Sequence, residues 1–424
     1  MAIEAIWNHT YRDDCIPNFS NNMALPRHRW YDFKEGYGSS LVERAIFETR
    51  QATKKRQLIV LDPFSGSGTT PLTALQNNCD CIASEVNPFM SFVSKTKCIK
   101  KTCSADDLMH ELESVMSQKN ILVTSPLQDI SSFAPGNNKE KWLFNIEVLQ
   151  SFEALKKMVE STVNQDLFML ALMAAVMECC NAYKDGKCLR YKKNWKSLEY
   201  DATDLRNAFK ENALKVIADI ESDPLILGER TFYLGDSRQT LSQMAGETAD
   251  LVVFSPPYLN SFDYSDIYRP ELFLGDFVNS NDDLRAIRKT TLRSHVQYKW
   301  ETQEKSSSIW AQSISEKIKA RKEHLWNKNI PEMVDSYFYD MERVLSEAYR
   351  VCNHNAQLWF VVSTSAYAGI EIPVDLILAD LAQHQGWDLC NVNALRKLRT
   401  SSQCVDENDK KIRLRESLII CTKI

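Results

Sequence analysis

The feature that most limits the fold of this chain is Asp62-Pro63-Phe64-Ser65-Gly66-Ser67-Gly68, placed directly behind Leu58-Ile59-Val60-Leu61. A short apolar run of this kind is a buried strand, and Asp-Pro followed by two glycines turns the chain sharply out of the sheet. Thr69 and Thr70 then open a helical pattern through Pro71-Leu72-Thr73-Ala74-Leu75, and Cys81-Ile82-Ala83 reads as a second strand ending at Glu85. The order strand, glycine loop, helix, strand, acid is a nucleotide-type crossover, which requires a parallel sheet.

Further strands are predicted at Phe232-Tyr233-Leu234 before Gly235-Asp236, at Leu251-Val252-Val253-Phe254, at Leu358-Trp359-Phe360-Val361-Val362, and at Ser417-Leu418-Ile419-Ile420. Between them the pattern is helical from about Lys100 to Leu227. Trp142, Leu143, Ile146, Leu149, Phe152 and Leu155 are expected on one helical face, followed by an apolar helix from Leu167 to Met177. The expected organisation is a sheet domain in two parts, 1–98 and 231–424, divided by a helical insertion over 99–230. The polar stretch 266–330 is expected to be a surface excursion.

Glycines at 66 and 68 let the backbone pass close to a ligand, although a bare pair of glycines can also be a tight turn and nothing more. A phosphate-cradling loop ends in Gly-Lys-Ser/Thr, and Thr69-Thr70 here lack the lysine, which argues against an NTPase. Asp62 would repel a triphosphate but could meet the ammonium of a cationic amino-acid ligand, and Glu85 is placed to accept hydrogen bonds from ribose hydroxyls.

A second motif, Ser255-Pro256-Pro257-Tyr258, leaves the strand at 251–254 as a stiff extended turn, because each proline fixes its own φ and restricts the residue before it. Such a turn presents backbone carbonyls in fixed directions. An exocyclic amine of cytosine or adenine is a poor nucleophile, and acceptors that bind its two hydrogens favour a pyramidal nitrogen as alkylation begins. The Ser255 hydroxyl and the Pro256 carbonyl are the candidate acceptors, and Tyr258 offers an aromatic face to a base rotated out of a duplex. The plain alternative is a rigid surface turn. Phe262 and Tyr264, in Leu259-Asn260-Ser261-Phe262-Asp263-Tyr264, either line a base pocket or anchor the loop on the core.

Asp62 to Thr70 resembles the cofactor-binding motif of the S-adenosylmethionine-dependent amino-methyltransferases that act on nucleic acid, and Ser255 to Tyr258 resembles the catalytic motif of their N4-cytosine and N6-adenine DNA members. The resemblance implies an α/β Rossmann-like methyltransferase fold: a mostly parallel seven-stranded sheet, helices on both faces and a helical insertion. It implies that Asp62, Phe64, Gly66 and Gly68 contact the methionine part of S-adenosylmethionine, that Glu85 binds the ribose, and that Asp236 stands near the adenine amino group. Pro26 to Tyr37, with Lys34 as its candidate cofactor-binding residue, resembles the segment that packs over the methionine end. Ser255, Pro256, Pro257 and Tyr258 would be catalytic. Serine in the first position favours cytosine N4 over adenine N6. Carbon-5 methylation is disfavoured, since it needs a thiolate nucleophile and no Pro-Cys dipeptide occurs. The order of segments, glycine loop before Ser-Pro-Pro-Tyr, departs from the permuted arrangement of many serine-type enzymes. The alternatives are an RNA or protein methyltransferase, or a catalytically silent DNA-binding relative.

Double-stranded DNA is the expected partner, together with a cognate restriction endonuclease acting on the same site. The net charge of −5 gives no general affinity for nucleic acid, so local runs matter. From Lys184 to Lys196 there are six basic residues and one acid, with Tyr191 and Trp195 between them; from Arg285 to Lys299 there are five and no acid; from Arg396 to Arg415 there are seven against three. Such runs either grip phosphates or are solvated faces. Both the insertion and the 266–330 excursion are candidates for sequence recognition, with the excursion favoured because it follows the base-pocket motif. The twelve cysteines lack zinc-site spacing, so no metal is expected. No run is long enough to span a bilayer and no secretory pattern opens the chain, so a cytoplasmic location, in a prokaryote, is expected.

Overall fold

The computed structural model describes residues 4–8, 10–11, 18–100, 103–119, 123–136, 140–185, 188–223, 228–260, 262–297, 304–398 and 412–424. Lys187, Ser261, Lys299, Arg399, Lys410 and Lys411 lie outside the described residues.

The strands, in chain order, are β1 Ala5–Trp7, β2 Ile59–Asp62, β3 Asp80–Glu85, β4 Ala182–Lys184, β5 Leu189–Tyr191, β6 Arg230–Leu234, β7 Ala249–Phe254, β8 Cys352–Ser363, β9 Ser365–Tyr367, β10 Ile370–Ile372, β11 Asp388–Lys397 and β12 Arg415–Thr422. Eight of them form one sheet in the order β1-β11-β12-β8-β7-β2-β3-β6, while β4 with β5 and β9 with β10 are small separate hairpins. Within the sheet β12 runs antiparallel to both neighbours and every other pairing is parallel. The Rossmann-like fold is therefore present, with one strand more than expected. The eighth strand, β1, adds at the edge by pairing parallel with β11, and neither was singled out by an apolar run.

Side chains of period two divide the sheet's two faces. Val60, Leu251, Val253, Trp359, Val361, Leu418 and Ile420 pack under the helices Ser39–Thr53 and Thr69–Gln76. The alternate positions Leu61, Val252, Phe254, Leu358, Phe360, Val362 and Ile419 pack against the helices Ile330–Val351 and Val374–His384. A third core is built by the inserted helices Ala105–Ser117, Ile146–Glu160, Gln165–Glu178 and Ala202–Ser222, which close on Phe89, Met90 and Val93 of the helix Pro88–Lys97. Capping boxes at Ser104/Asp107 and Asp201/Asp204 start two of the inserted helices by satisfying backbone N–H groups at their first turns. Trp142 and Leu143 precede the helix expected to contain them, and Ile146 at its start is 40% exposed.

The stretch after Pro270 is less of a surface excursion than its polarity suggests. It forms the helices Arg269–Leu274, Asn281–Thr290 and Ile309–Lys319, and it buries Leu272, Phe273, Leu274, Val278, Leu292 and Val296. Its polar residues are drawn inward by partners: Arg293, with a side chain 5% exposed, pairs with the buried Asp340 at 2.6 Å. No helix among the described residues is long and apolar enough to cross a membrane.

Candidate active site

Crossovers leave β2 in opposite directions, to β3 and β6 on one side and to β7 and β8 on the other, so the C-terminal ends of β2 and β7 form the switch point where an open α/β sheet leaves a crevice. The two strands are direct neighbours, with Val60 opposite Leu251 and Leu61 opposite Val252. Asp62 to Gly68 follows one and Ser255 to Tyr258 the other. They share a cavity of about 420 Å³, lined among others by Lys34, Glu35, Phe64, Gly66, Glu85, Asp236 and all of Ser255 to Tyr258.

The two glycines of the loop have different reasons to be glycine. Gly66 has φ +49°, and a Cβ there would stand 2.9 Å from Cε1 of Phe33, a residue of the cavity wall. Its N–H donates to Glu85 Oε2 at 2.8 Å, while Glu85 Oε1 accepts from the Asn87 N–H, also at 2.8 Å. Burial raises the Glu85 carboxyl above the usual carboxylate range, and these two backbone donors act against the rise. Gly68 has φ +89° and does not border the cavity; a Cβ there would lie 2.9 Å from the Cα of Ser94. Its lack of a side chain lets the helix it caps approach Pro88–Lys97.

Asp62 also faces inward. It is 1% exposed, with Oδ1 accepting from the Phe64 N–H at 2.9 Å and Oδ2 from the Tyr37 hydroxyl at 3.2 Å. Burial pushes its carboxyl up to about 7. Its contacts brace the loop, and it is not among the residues lining the cavity. Phe64 does line the cavity and packs 5.5 Å from Phe254. Asp236 reaches the cavity, but its carboxylate is held by the Arg238 guanidinium, bidentate at 2.8 and 2.7 Å. The Lys34 amine is drawn to the β4–β5 hairpin, where it donates to the Lys184 carbonyl at 2.8 Å.

In the second motif the Ser255 hydroxyl donates to the Val361 carbonyl at 3.0 Å. With its proton committed, the oxygen can offer a ligand only lone pairs. The Tyr258 hydroxyl donates to Glu416 Oε1 at 2.7 Å, and the other Glu416 oxygen accepts from Arg396. Burial first, then the Glu416 charge, raises the Tyr258 hydroxyl well above its ordinary value, so it stays protonated and fixes the ring. Phe262 and Tyr264 both border the cavity and pack edge to face at 4.6 Å, so each serves as anchor and as wall.

Several lining residues carry no motif signal. Glu416 acts from the last strand, 158 positions beyond Tyr258. Thr290, Thr291, Leu292, Ser294 and His295 form a wall contributed by the 266–330 stretch. Glu35 lies inside the N-terminal segment, and one of its carboxylate oxygens is held by the Tyr268 hydroxyl at 2.7 Å. The other is buried without a hydrogen-bond partner among the described residues. A backbone cradle at Gly66 that a Cβ would fill, together with an acid on the same wall that has one oxygen without a donor among the described residues, fits a ligand that carries a positive charge and lies close against the loop.

No family model matches the chain. It is 25% identical over 409 residues to the Type II methyltransferase M.AvaI of Nostoc sp., covering 88% of this chain and 82% of that protein. It is 24% identical over 455 residues to M.BsoBI of Geobacillus stearothermophilus, covering 96% and 88%, and 23% identical over 392 residues to M.MvaI of Kocuria varians, covering 85% and 82%. Among solved structures, the rRNA methyltransferase aviRa from Streptomyces viridochromogenes aligns at 10% identity and a TM-score of 0.29 over 91% of this chain and 85% of that one; the fold assignment rests instead on the strand order above.

Fold and site together define a methyltransferase of the S-adenosylmethionine-dependent class. Along most of its length the chain is similar to Type II DNA methyltransferases, which supports a DNA methyltransferase.

Proposed function

We propose that the chain is a site-specific DNA methyltransferase that transfers a methyl group from S-adenosylmethionine to the exocyclic N4 amine of a cytosine turned out of the duplex, and that it is the modification partner of a restriction endonuclease acting on the same site. The observation that carries this reading is the shared cavity: the glycine loop and the Ser-Pro-Pro-Tyr turn leave adjacent parallel strands and face one another across it. The curated relatives are named as Type II methyltransferases, which supports DNA as the substrate.

In this reading Phe64, Gly66 and Glu85 hold the cofactor, which when bound supplies an electrophilic methyl group. Glu85 keeps the loop in place through the Gly66 N–H and offers lone pairs to the ribose. Asp62 and Gly68 support the loop from behind. Lys34 and Asp236, whose charged groups are taken up by Lys184 and Arg238, contribute to the cavity wall. The amine hydrogens of the base are bound by the Ser255 oxygen and by the Pro256 carbonyl, which draws the nitrogen lone pair out of conjugation and toward the methyl group. Tyr258, clamped by Glu416, gives the base a flat apolar surface. The turn's rigidity means that these acceptors need little reorganisation when the amine attacks.

Charge pairing separates the three basic runs. Arg288 pairs with Asp263, Arg293 with Asp340, Arg396 with Glu416 and Arg415 with Asp375, so these four serve the interior. On the β4–β5 hairpin and the turn after it, Lys193 and Lys196 are exposed, and Lys196 lies over Trp195 at 5.7 Å. Trp195 packs at 4.7 Å on Trp142 and at 4.8 Å on Tyr191, giving a firm aromatic base beneath these lysines. This hairpin is the best-suited phosphate grip, while the Thr290–His295 wall of the 266–330 stretch faces the base.

The test is incorporation of tritium from labelled S-adenosylmethionine into duplex DNA, RNA and protein in parallel. Label in DNA alone is expected. Label confined to RNA or protein, or none in DNA, overturns the reading.

A further inference from the structure

The carboxylates of the cavity differ in what already neutralises them. Asp236 is bound by Arg238, Glu416 by Arg396, and both oxygens of Glu85 accept backbone N–H groups. Asp62, one turn behind the wall, has both of its oxygens in hydrogen bonds and its proton held up to about 7. Glu35 stands apart. It lines the cavity, its Oε2 is fixed by Tyr268, and its Oε1 is buried without a hydrogen-bond partner among the described residues, with Lys184 the one cation that acts on it from nearby.

A buried carboxylate oxygen with no donor is destabilising unless something in the working protein supplies one. The surroundings set the chemistry of that donor. Phe33, stacked on Tyr268 at 5.8 Å, covers the Gly66 backbone from the same side, so Glu35 stands near the part of a ligand that lies against Gly66. Tyr264 is close enough to feel the negative charge of both Glu35 and Glu85. Glu35 and Glu85 both line the cavity, and this pair of acids suits a cation, with Lys184 offsetting part of the charge of Glu35.

We propose that Glu35 is the cofactor-binding carboxylate that pairs with the α-ammonium of S-adenosylmethionine, with Tyr268 as the positioning residue that aims it. The proposal rests on the cofactor reading above and transfers to Glu35 the role that the motif resemblance gave to Asp62. Tyr268 keeps the carboxylate from rotating.

Calorimetric titration of the full-length protein with S-adenosylhomocysteine and with 5′-methylthioadenosine tests this, because the second ligand keeps the nucleoside and lacks the amino-acid end. Glu35→Gln preserves size and an acceptor for Tyr268, and the expected result is a loss of about tenfold to a hundredfold in S-adenosylhomocysteine affinity with 5′-methylthioadenosine unchanged. Tyr268→Phe is expected to weaken the first ligand by a smaller factor and leave the second alone, which provides a readout should the Gln variant prove unstable. Equal affinity of wild type and Glu35→Gln for S-adenosylhomocysteine overturns the assignment while leaving the cofactor reading intact, as does an equal loss for both ligands. A wild-type protein that binds neither ligand overturns the cofactor reading itself.

Discussion

The Gly66 N–H donates to the Glu85 carboxylate at 2.8 Å, joining the glycine loop after one strand to the acid that ends the next. The loop's shape and the acid's position are thus one arrangement. Gly66→Ala would force a left-handed residue and press a methyl group on Phe33, at a cost of about 1–2 kcal/mol. Because the methyl enters the cavity wall, S-adenosylhomocysteine affinity should fall with it, read by calorimetry beside a melting curve.

Gly68→Ala should behave differently. The added methyl meets the backbone of Ser94, which cannot swing aside, and the cost should reach about 2–4 kcal/mol. Cofactor affinity of the protein that remains folded should be close to wild type. A variant that melts normally but fails to bind would contradict this division of labour between the glycines.

This contrast also marks how far the sequence is legible. The run behind Leu58–Leu61 and the Ser-Pro-Pro-Tyr turn are contiguous, and each carries its physical reason in a few neighbouring residues. Gly66 and Gly68 look alike in sequence because the difference between them is tertiary: one meets Phe33, the other Ser94. Glu416 is unreadable beforehand for the same reason, since its partner Tyr258 is brought to it only when β12 lies beside β8. The edge strand β1 and its neighbour β11 were missed because Ala5–Trp7 is very short and Asp388–Lys397 breaks its apolar residues with Asn391, Asn393 and Arg396. Arg293 counted toward a basic surface until Asp340 took it inside.

Burial of Asp62 gives stability a pH dependence whose sign can be worked out. The folded carboxyl keeps its proton up to about 7, whereas an unfolded one has the ordinary value of 3.8. Between these values the folded state binds more protons, so the contribution is present at acid pH and is lost as pH rises through about 7. Asp62→Asn, neutral throughout, should gain melting temperature relative to wild type between about pH 4 and about pH 7 and level off above that. A constant difference across that range would show that Asp62 is ionised when folded.

The hairpin lysines and the buried arginine should separate affinity from folding. Replacing Lys193 and Lys196 together by Gln should weaken DNA binding and reduce the slope of log affinity against log salt by about two, with the melting temperature unchanged. Arg293→Ala should instead destabilise the protein by about 3–5 kcal/mol, because it leaves the Asp340 charge buried with one partner fewer.

The most direct test of the proposed chemistry is mass spectrometry of nucleosides released from duplex DNA after incubation with the protein and methyl-labelled S-adenosylmethionine. Labelled N4-methylcytosine, lost when Ser255-Pro256-Pro257-Tyr258 is altered at Tyr258→Ala, is the predicted result. Labelled N6-methyladenine would overturn the base assignment, and DNA free of labelled amino-methylated base would contradict the account as a whole.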